Sequence, residues 1–233
     1  CPAPRAHAML PAPSGGPAHR PCATGSSRAS KLPRDHWHNL PDCAIQNGQE
    51  HVVKKLTKTA GEVVHEIAGT DGPNSDVQVH GIIDWDYRYS LMRTHTALHI
   101  MGAVVWLNFG AQITGSDMKH GSGRLDFELE TMSTSFASEV EKMINDEVEA
   151  AREVTINVLP REDAFEIPDL IRTKISLLPP DIKEIRIVDI KGLDLQADGG
   201  THVHNTREVG RVRVVGHESK GRLNKRLRIE IDR

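Results

Sequence analysis

Three short runs rich in Val and Ile open the patterned part of the chain: 51–56 (HVVKKL), 62–67 (EVVHEI) and 77–83 (VQVHGII). Gly61 and the Gly72-Pro73-Asn74 cluster divide them, so they predict a small antiparallel β unit. Asp84 then offers an N-cap for a long helix over about 85–107, with Leu91, Leu98, Met101 and Val105 at helical spacing and Gly110 as its stop. Strict alternation over 124–129 (RLDFEL) predicts a half-buried strand, with Asp126 and Glu128 turned to solvent. Phe136, Val140, Met143, Ile144 and Val148 mark an amphipathic helix ending near Arg152. Val154, Ile156 and Val158 alternate again, short helical turns broken by Pro168 are expected over 161–177, and Ile185, Ile187 and Val188 form another strand. A terminal hairpin runs from 209–215 through a turn near Ser219-Lys220-Gly221 to 226–232, with Leu227, Ile229 and Ile231 facing inward. Strands and helices do not alternate as βαβ units. The predicted class is α+β: a mostly antiparallel sheet packed with a long helix and a second amphipathic helix, preceded by a small, incomplete β-barrel-like unit.

Composition divides the 233 residues near position 45. All three cysteines (Cys1, Cys22, Cys43) and 8 of the 13 prolines precede it. Such a segment lacks the apolar area to offset chain entropy, so 1–45 is expected to be disordered, 46–84 to be the β unit and 85–233 the main domain. Ala8-Met9-Leu10 is too short for a secretory signal, while the excess of Arg and Lys before residue 35 leaves an organellar transit peptide as the alternative to a cytoplasmic protein. The first 45 residues hold five basic and two acidic side chains of the chain's 29 and 32, so the remainder carries −6. That remainder has no cysteine, so a metal bound there must use nitrogen or oxygen ligands. No apolar run is long enough to cross a membrane as a helix.

Chemistry concentrates in two places. His95 and His99 stand one turn apart on one helical face, so both imidazoles can reach a single metal ion. The HExxH proteases share this spacing, but Thr96 occupies the position of their general base, which argues against that class. The second place is Asp198-Gly199-Gly200-Thr201-His202, where two glycines allow a tight turn that brings a carboxylate and an imidazole to one point. Joined with the helical pair, this gives a three-histidine, one-carboxylate set, or three histidines with Asp198 behind them. An ordinary turn at a strand end is the competing reading. His51, His65, His80, His120 and His217 have no partner spacing and read as surface or structural residues.

Together the two motifs resemble the alanyl-tRNA editing proteins of the free-standing AlaX type and the editing domain of alanyl-tRNA synthetase. The helix motif is Arg93-Thr94-His95-Thr96-Ala97-Leu98-His99, introduced by Asp84-Trp85 and Arg88-Tyr89. The second motif is Gly199-Gly200-Thr201-His202-Val203, followed by Asn205-Thr206-Arg207-Glu208-Val209-Gly210. The resemblance runs from about residue 51 to the C-terminus. Family members usually carry Cys just before the Gly-Gly pair, where this chain has Asp198; carboxylate is also a zinc ligand, though a harder one. Larger members also carry a Gly-Gly-Gly-Gln-Pro segment, which nothing here matches.

The resemblance implies a zinc-dependent aminoacyl-tRNA deacylase that removes a wrong amino acid, typically serine, from alanine tRNA. It has no room for ligase activity. One Zn²⁺ would be held by His95, His99, Asp198 and His202. Thr96 is the candidate catalytic residue by its family position, against a helix Thr bonded to a backbone carbonyl. Thr114 and Gly115 are candidates for the pocket wall, against a plain loop, and Gly199, Gly200 and Thr201 for substrate binding. Nine basic side chains stand against four acids in 206–233. Arg207, Arg211, Arg213, Lys220, Arg222 and Lys225 among them are candidate tRNA contacts despite the acidic body. Membrane and DNA are not expected partners, and the expected state is a monomer or weak homodimer. Two other functions stay open: a non-catalytic tRNA-binding module, and a metalloenzyme of another class such as a two-His-one-carboxylate iron enzyme.

Overall fold

The computed structural model describes residues 43–46, 49–59, 62–68, 79–170 and 182–232. The segments 1–42 and 69–78 and the far part of the 161–177 turns lie outside the described residues. Strands β1 (Cys43–Gln46), β2 (Gln49–Thr59), β3 (Glu62–Ile67) and β4 (His80–Ile82) pair in the order β3-β2-β1-β4. Among the described residues, pairing starts at Cys43, ahead of the composition break. All three strand pairs of this unit are antiparallel, as expected for hairpin-connected β runs.

Helix α1 (Trp85–Phe109) follows directly. The Asp84 carboxylate accepts a hydrogen bond from the Tyr87 N–H at 2.9 Å, and Gly110 closes the helix in the left-handed conformation at φ 64°. Every residue from Ile100 to Val105 is buried, so this is a central helix rather than a surface one. Helix α2 (Thr134–Glu149) is amphipathic, capped by Ser133 and burying Ala137, Val140, Ile144 and Val148. It ends three residues earlier than the expected Arg152 boundary.

Two further sheets enclose α1. Strands β5 (Ile113–Lys119), β6 (Ser122–Glu128), β10 (Val212–Gly221) and β11 (Asn224–Ile231) pair in the order β10-β11-β6-β5. Leu125, Phe127, Leu227 and Ile229 of that sheet join Ile100, Met101, Val104 and Val105 of α1, and Val140 and Ile144 of α2, in one core. Strands β7 (Val154–Pro160), β8 (Glu184–Ile190) and β9 (Asp194–Ala197) make the third sheet. β8 is buried on both faces. Val188 and Ile190 enter the main core, while Ile185 and Ile187 pack with Leu170 and with Ala164 of the short helix α3 (Arg161–Phe165). The architecture is α+β with antiparallel sheets. None of the described helices is long and apolar enough to cross a membrane.

Three local expectations change. The stretch after α1 is a strand, β5, because pairing with β6 supplies the ladder that its polar sequence ITGSDMK does not advertise. The terminal hairpin starts at Val212, and Thr206–Val209 is instead a 3-10 turn. Asp126 is buried rather than solvated, at 7% exposure. Its carboxylate accepts from Arg226 Nε at 2.6 Å and Nη2 at 2.8 Å, and from Arg124 Nη1 at 2.9 Å. The polar face of this sheet is thus closed by ion pairing, and Arg226 does not simply face water.

The Arg226 hydrogen bonds, aided by Arg124, hold the Asp126 carboxyl below its ordinary value against the opposing effect of burial. Its contribution to stability is therefore complete above the ordinary carboxylate pKa of ~3.9 and is lost as pH falls through the lowered folded value. Asp126→Ala should cost about 2 kcal/mol in urea unfolding at neutral pH, less than the ~3–5 for a fully buried pair because both guanidiniums keep some water. The difference from wild type should shrink as the carboxylate is titrated.

Candidate metal centre

His95 and His99 project from the middle of α1 toward the turn that follows β9. The three imidazoles stand close together: ring centroids are 5.0 Å apart for His95–His99, 4.2 Å for His95–His202 and 4.7 Å for His99–His202. Asp198 is common to all three. His95 Nε2 lies 3.4 Å and His99 Nε2 3.8 Å from its Oδ1, and His202 Nε2 lies 3.1 Å from its Oδ2. A tetrahedron with bonds of ~2.1 Å has ligand–ligand edges of about 3.4 Å, which these separations bracket. One donor atom from each of the four residues lies within 4.8 Å of every other, so the cluster can hold a metal ion.

The far side of two rings is committed. His99 Nδ1 hydrogen-bonds Asp194 Oδ2 at 3.0 Å, and Asp194, buried in β9, also accepts from Gln196 Nε2 at 3.1 Å on each oxygen. Thr96 is buried, and its hydroxyl is 3.0 Å from Met92 O, 3.1 Å from His202 Nδ1 and 3.3 Å from the Val203 N–H. A hydroxyl that donates to Met92 O accepts from the other two, which places the His202 proton on Nδ1 and leaves Nε2 as the donor atom. Both rings thus turn Nε2 toward Asp198, the arrangement in which a ligating histidine is oriented through its other nitrogen.

The charges fit the same reading. Burial pushes His202 down to about 4, so it is neutral imidazole. Burial also opposes charge on His99, but Asp194 and Asp198 outweigh it and raise that ring to about 10. Burial disfavours the Asp198 charge too, yet the surrounding imidazoles hold its carboxyl well below the usual carboxylate range. Ion binding would release the His99 proton, since metals take imidazole in its neutral form.

Backbone geometry makes the convergence possible. The Asp198 N–H donates to Arg186 O, and Arg186 Nη1 returns a 2.7 Å bond to Asp198 O, so the end of β9 is pinned to β8. Gly200 N–H donates to Asp198 Oδ2 at 2.6 Å. A Cβ at Gly200 would overlap the His95 ring, so only glycine lets this backbone lie against the imidazole. Past His202, the Glu208 carboxylate accepts from the His204 and Asn205 N–H groups and from Tyr89 OH, tying the turn to α1.

Residues 185–228 match the family model described as the threonyl and alanyl tRNA synthetase second additional domain. The chain is 37% identical over 184 residues to an alanyl-tRNA editing protein AlaX-M of Methanosarcina barkeri, which covers 78% of this chain and 76% of that protein. It is 40% identical over 169 residues to the AlaX-M of Saccharolobus solfataricus, covering 72% and 70%. The chain belongs to the AlaX-M family of alanyl-tRNA editing proteins. It is also 32% identical over 174 residues to an alanine–tRNA ligase of Methanococcus aeolicus, where the match spans 73% of this chain and 19% of the ligase.

In this AlaX-M family member the structure brings His95, His99, Asp198 and His202 together with Thr96, Gly200 and Thr201. Thr96 faces His202 and the backbone. Thr201 Oγ1 is buried without a hydrogen-bond partner among the described residues. Thr114 and Gly115 are not brought to the cluster. Ile113 faces α1 at Gly102, whereas Thr114 reaches Asn224 at 3.2 Å and Gly115 lies against the Asp126 side chain. Among the basic candidates, Arg207, Arg211 and Arg222 are exposed, while Arg213 pairs with Asp232 and Glu230, and Lys220 with Glu218. Lys225 is buried at 5% exposure and donates to Gly221 O and Arg222 O, so it braces the hairpin turn and is not presented to a phosphate.

Asp194 and Gln196 were missed by the sequence reading. Their signal is the alternation Asp194-Leu195-Gln196-Ala197-Asp198, which puts three polar side chains on one face of a strand end. Asp194→Asn should weaken divalent-ion binding ~10- to 100-fold, the usual cost of losing an outer partner, in competition titration against a chromophoric chelator. Gly200→Ala should abolish binding in the same titration, because it displaces His95, while thermal unfolding stays cooperative.

Proposed function

We propose that this chain is a zinc-dependent trans-editing hydrolase that deacylates alanine tRNA mischarged with serine, without ligase activity and in the cytoplasm. The observation that carries the reading is the convergence of His95, His99, Asp198 and His202 in a chain whose relatives are named alanyl-tRNA editing proteins. Zinc suits three imidazoles and one carboxylate, and once bound it would supply Lewis-acid polarisation of the ester carbonyl and a water of lowered pKa.

The chain's own residues have simpler tasks. An aminoacyl ester is activated, so hydrolysis needs a held water rather than a protein nucleophile. Water adds to the carbonyl carbon, the bond to the ribose oxygen breaks, and that oxygen leaves with a proton. Asp194 and Thr96 keep the His99 and His202 rings in one orientation, so Thr96 serves the reaction through His202. Gly200 lets the turn lie directly on the His95 ring, and the Gly199-Gly200 backbone faces the substrate. The Thr201 hydroxyl supplies a hydrogen bond to a polar group of the bound aminoacyl moiety, which would satisfy a buried group that otherwise costs ~1–3 kcal/mol. Arg207, Arg211 and Arg222 supply phosphate contacts on the tRNA body.

The test is deacylation of seryl- and glycyl-charged alanine tRNA with and without a chelator. Serine release that stops on chelation and returns with Zn²⁺ is the expected outcome; undiminished tRNA binding with no deacylation of either substrate would leave a binding module. Asp198→Cys should keep zinc content and activity, because thiolate is a good zinc donor, whereas Asp198→Asn should lose both. Full zinc content in Asp198→Asn would remove Asp198 from the ligand set.

A further inference from the structure

Arg88 is the one described arginine with nitrogens that are both buried and without a hydrogen-bond partner among the described residues. It is 7% exposed, and its Nε and Nη2 are the orphaned atoms. Burial lowers its pKa, and among the described residues no carboxylate acts in the other direction. Elsewhere in the described structure, even guanidiniums that are only half-buried are partnered: Arg226 and Arg124 with Asp126, and Arg186 with the Asp198 carbonyl. A cation withdrawn from water without a counter-charge is costly, and native structures keep such groups where a ligand supplies the missing anion.

Its position says which anion. Arg88, His95 and His99 are separated by seven and four residues, so they lie within about 20° of one stripe along α1, with Arg88 ~10 Å toward the N-terminus from His95. A long side chain on a helix leans further toward that end. An aminoacyl ester held at the histidines is joined to the 5′ phosphate of its own nucleotide through O3′–C3′–C4′–C5′–O5′–P, and the next phosphate trails one nucleotide behind. Beside Arg88, one turn earlier, Trp85 is 60% exposed and stacks on Tyr89 with ring centroids 6.1 Å apart. An exposed indole is a platform for an unpaired base.

We propose that Arg88 binds a phosphodiester within the last two nucleotides of the RNA 3′ end, with Trp85 stacking on a base beside it. The first turn of α1 thereby sets how far the strand advances and where the ester stops. This rests on the RNA-linked ester proposed above as substrate. The guanidinium fork suits phosphate better than an ammonium would, because two parallel N–H groups fix orientation as well as charge.

The experiment measures binding of an uncharged alanine-tRNA acceptor microhelix, with its intact single-stranded 3′ end or with the last two nucleotides removed, to wild type, Arg88→Met and Arg88→Lys. Arg88→Met should melt at or above the wild-type temperature, since it removes an uncompensated buried charge. It should bind the intact RNA about tenfold more weakly, and its plot of log affinity against log salt should be flatter by ~0.7, one single-strand phosphate contact. Truncating the RNA should weaken wild type about as much and the variant hardly at all. Arg88→Lys keeps the charge and should keep the salt slope, which separates loss of the charge from loss of the guanidinium fork. Equal loss on truncation in all three proteins, an unchanged salt slope in Arg88→Met, or strong destabilisation of Arg88→Met would each overturn the proposal. Deacylation is read separately. Wild type that binds but hydrolyses no mischarged tRNA defeats the functional reading alone, and active wild type with an indifferent Arg88→Met defeats this inference alone.

Discussion

Everything at this site depends on the absence of a side chain at Gly200. The backbone after β9 lies directly on the His95 ring, and that contact brings Asp198 and His202 within reach of two histidines about a hundred residues earlier in the chain. Four donor atoms then share one small volume. Such a volume tolerates no spare atoms, because each ring must present one nitrogen inward and satisfy the other elsewhere. Asp194 and Thr96 answer that demand for His99 and His202 from opposite sides, one from β9 and one from α1 itself.

A constraint this local needs a stiff frame. α1 supplies it by being buried from Ile100 to Val105 and capped at both ends, which ties His95 and His99 to the core. The turn is fastened in turn by residues that look functional in sequence but are architectural in place. Glu208 holds two backbone N–H groups and Tyr89, and the Thr206 hydroxyl accepts from the Arg152 N–H and donates to Glu147 O. Arg93 donates to Val209 O and Asp232 O, joining α1 to both ends of the terminal segment. Preorganisation of this kind matters for a metal centre, because misplacement by a fraction of an ångström changes which donors bind.

Charge is distributed by the same logic. The terminal hairpin is rich in Arg and Lys, and several of these cations are spent on carboxylates of its own sheet, at Glu218, Glu230, Asp232 and Asp126. Counting basic residues along this segment therefore overstates the positive surface that a polyanion would meet. Arg88 is the opposite case: a cation of α1 that the count does not single out, buried without a counter-charge among the described residues.

The sequence by itself determined the local elements and the candidate donors. Asp84 and Gly110 bracket α1 as their capping chemistry demands, alternation marks β6, β7 and β11, and the i, i+4 histidine pair with the Asp-Gly-Gly turn contains all four residues that the structure brings together. These features are legible because they rest on short-range geometry, the 3.6- and 2-residue periods and the backbone freedom of glycine. Only the tertiary structure decided what depends on partners distant in sequence. β5 is a strand because β6 lies beside it, and Asp126 is buried because Arg226 comes from a hundred residues away. Val209 joins a 3-10 turn because Arg93 and Glu208 close it onto α1. Asp194 becomes a support for His99 only when β9 is laid against the helix, and Thr96 turns to His202 for the same reason. Hydrogen bonds and ion pairs across such separations leave no period in the chain, so they are settled by packing.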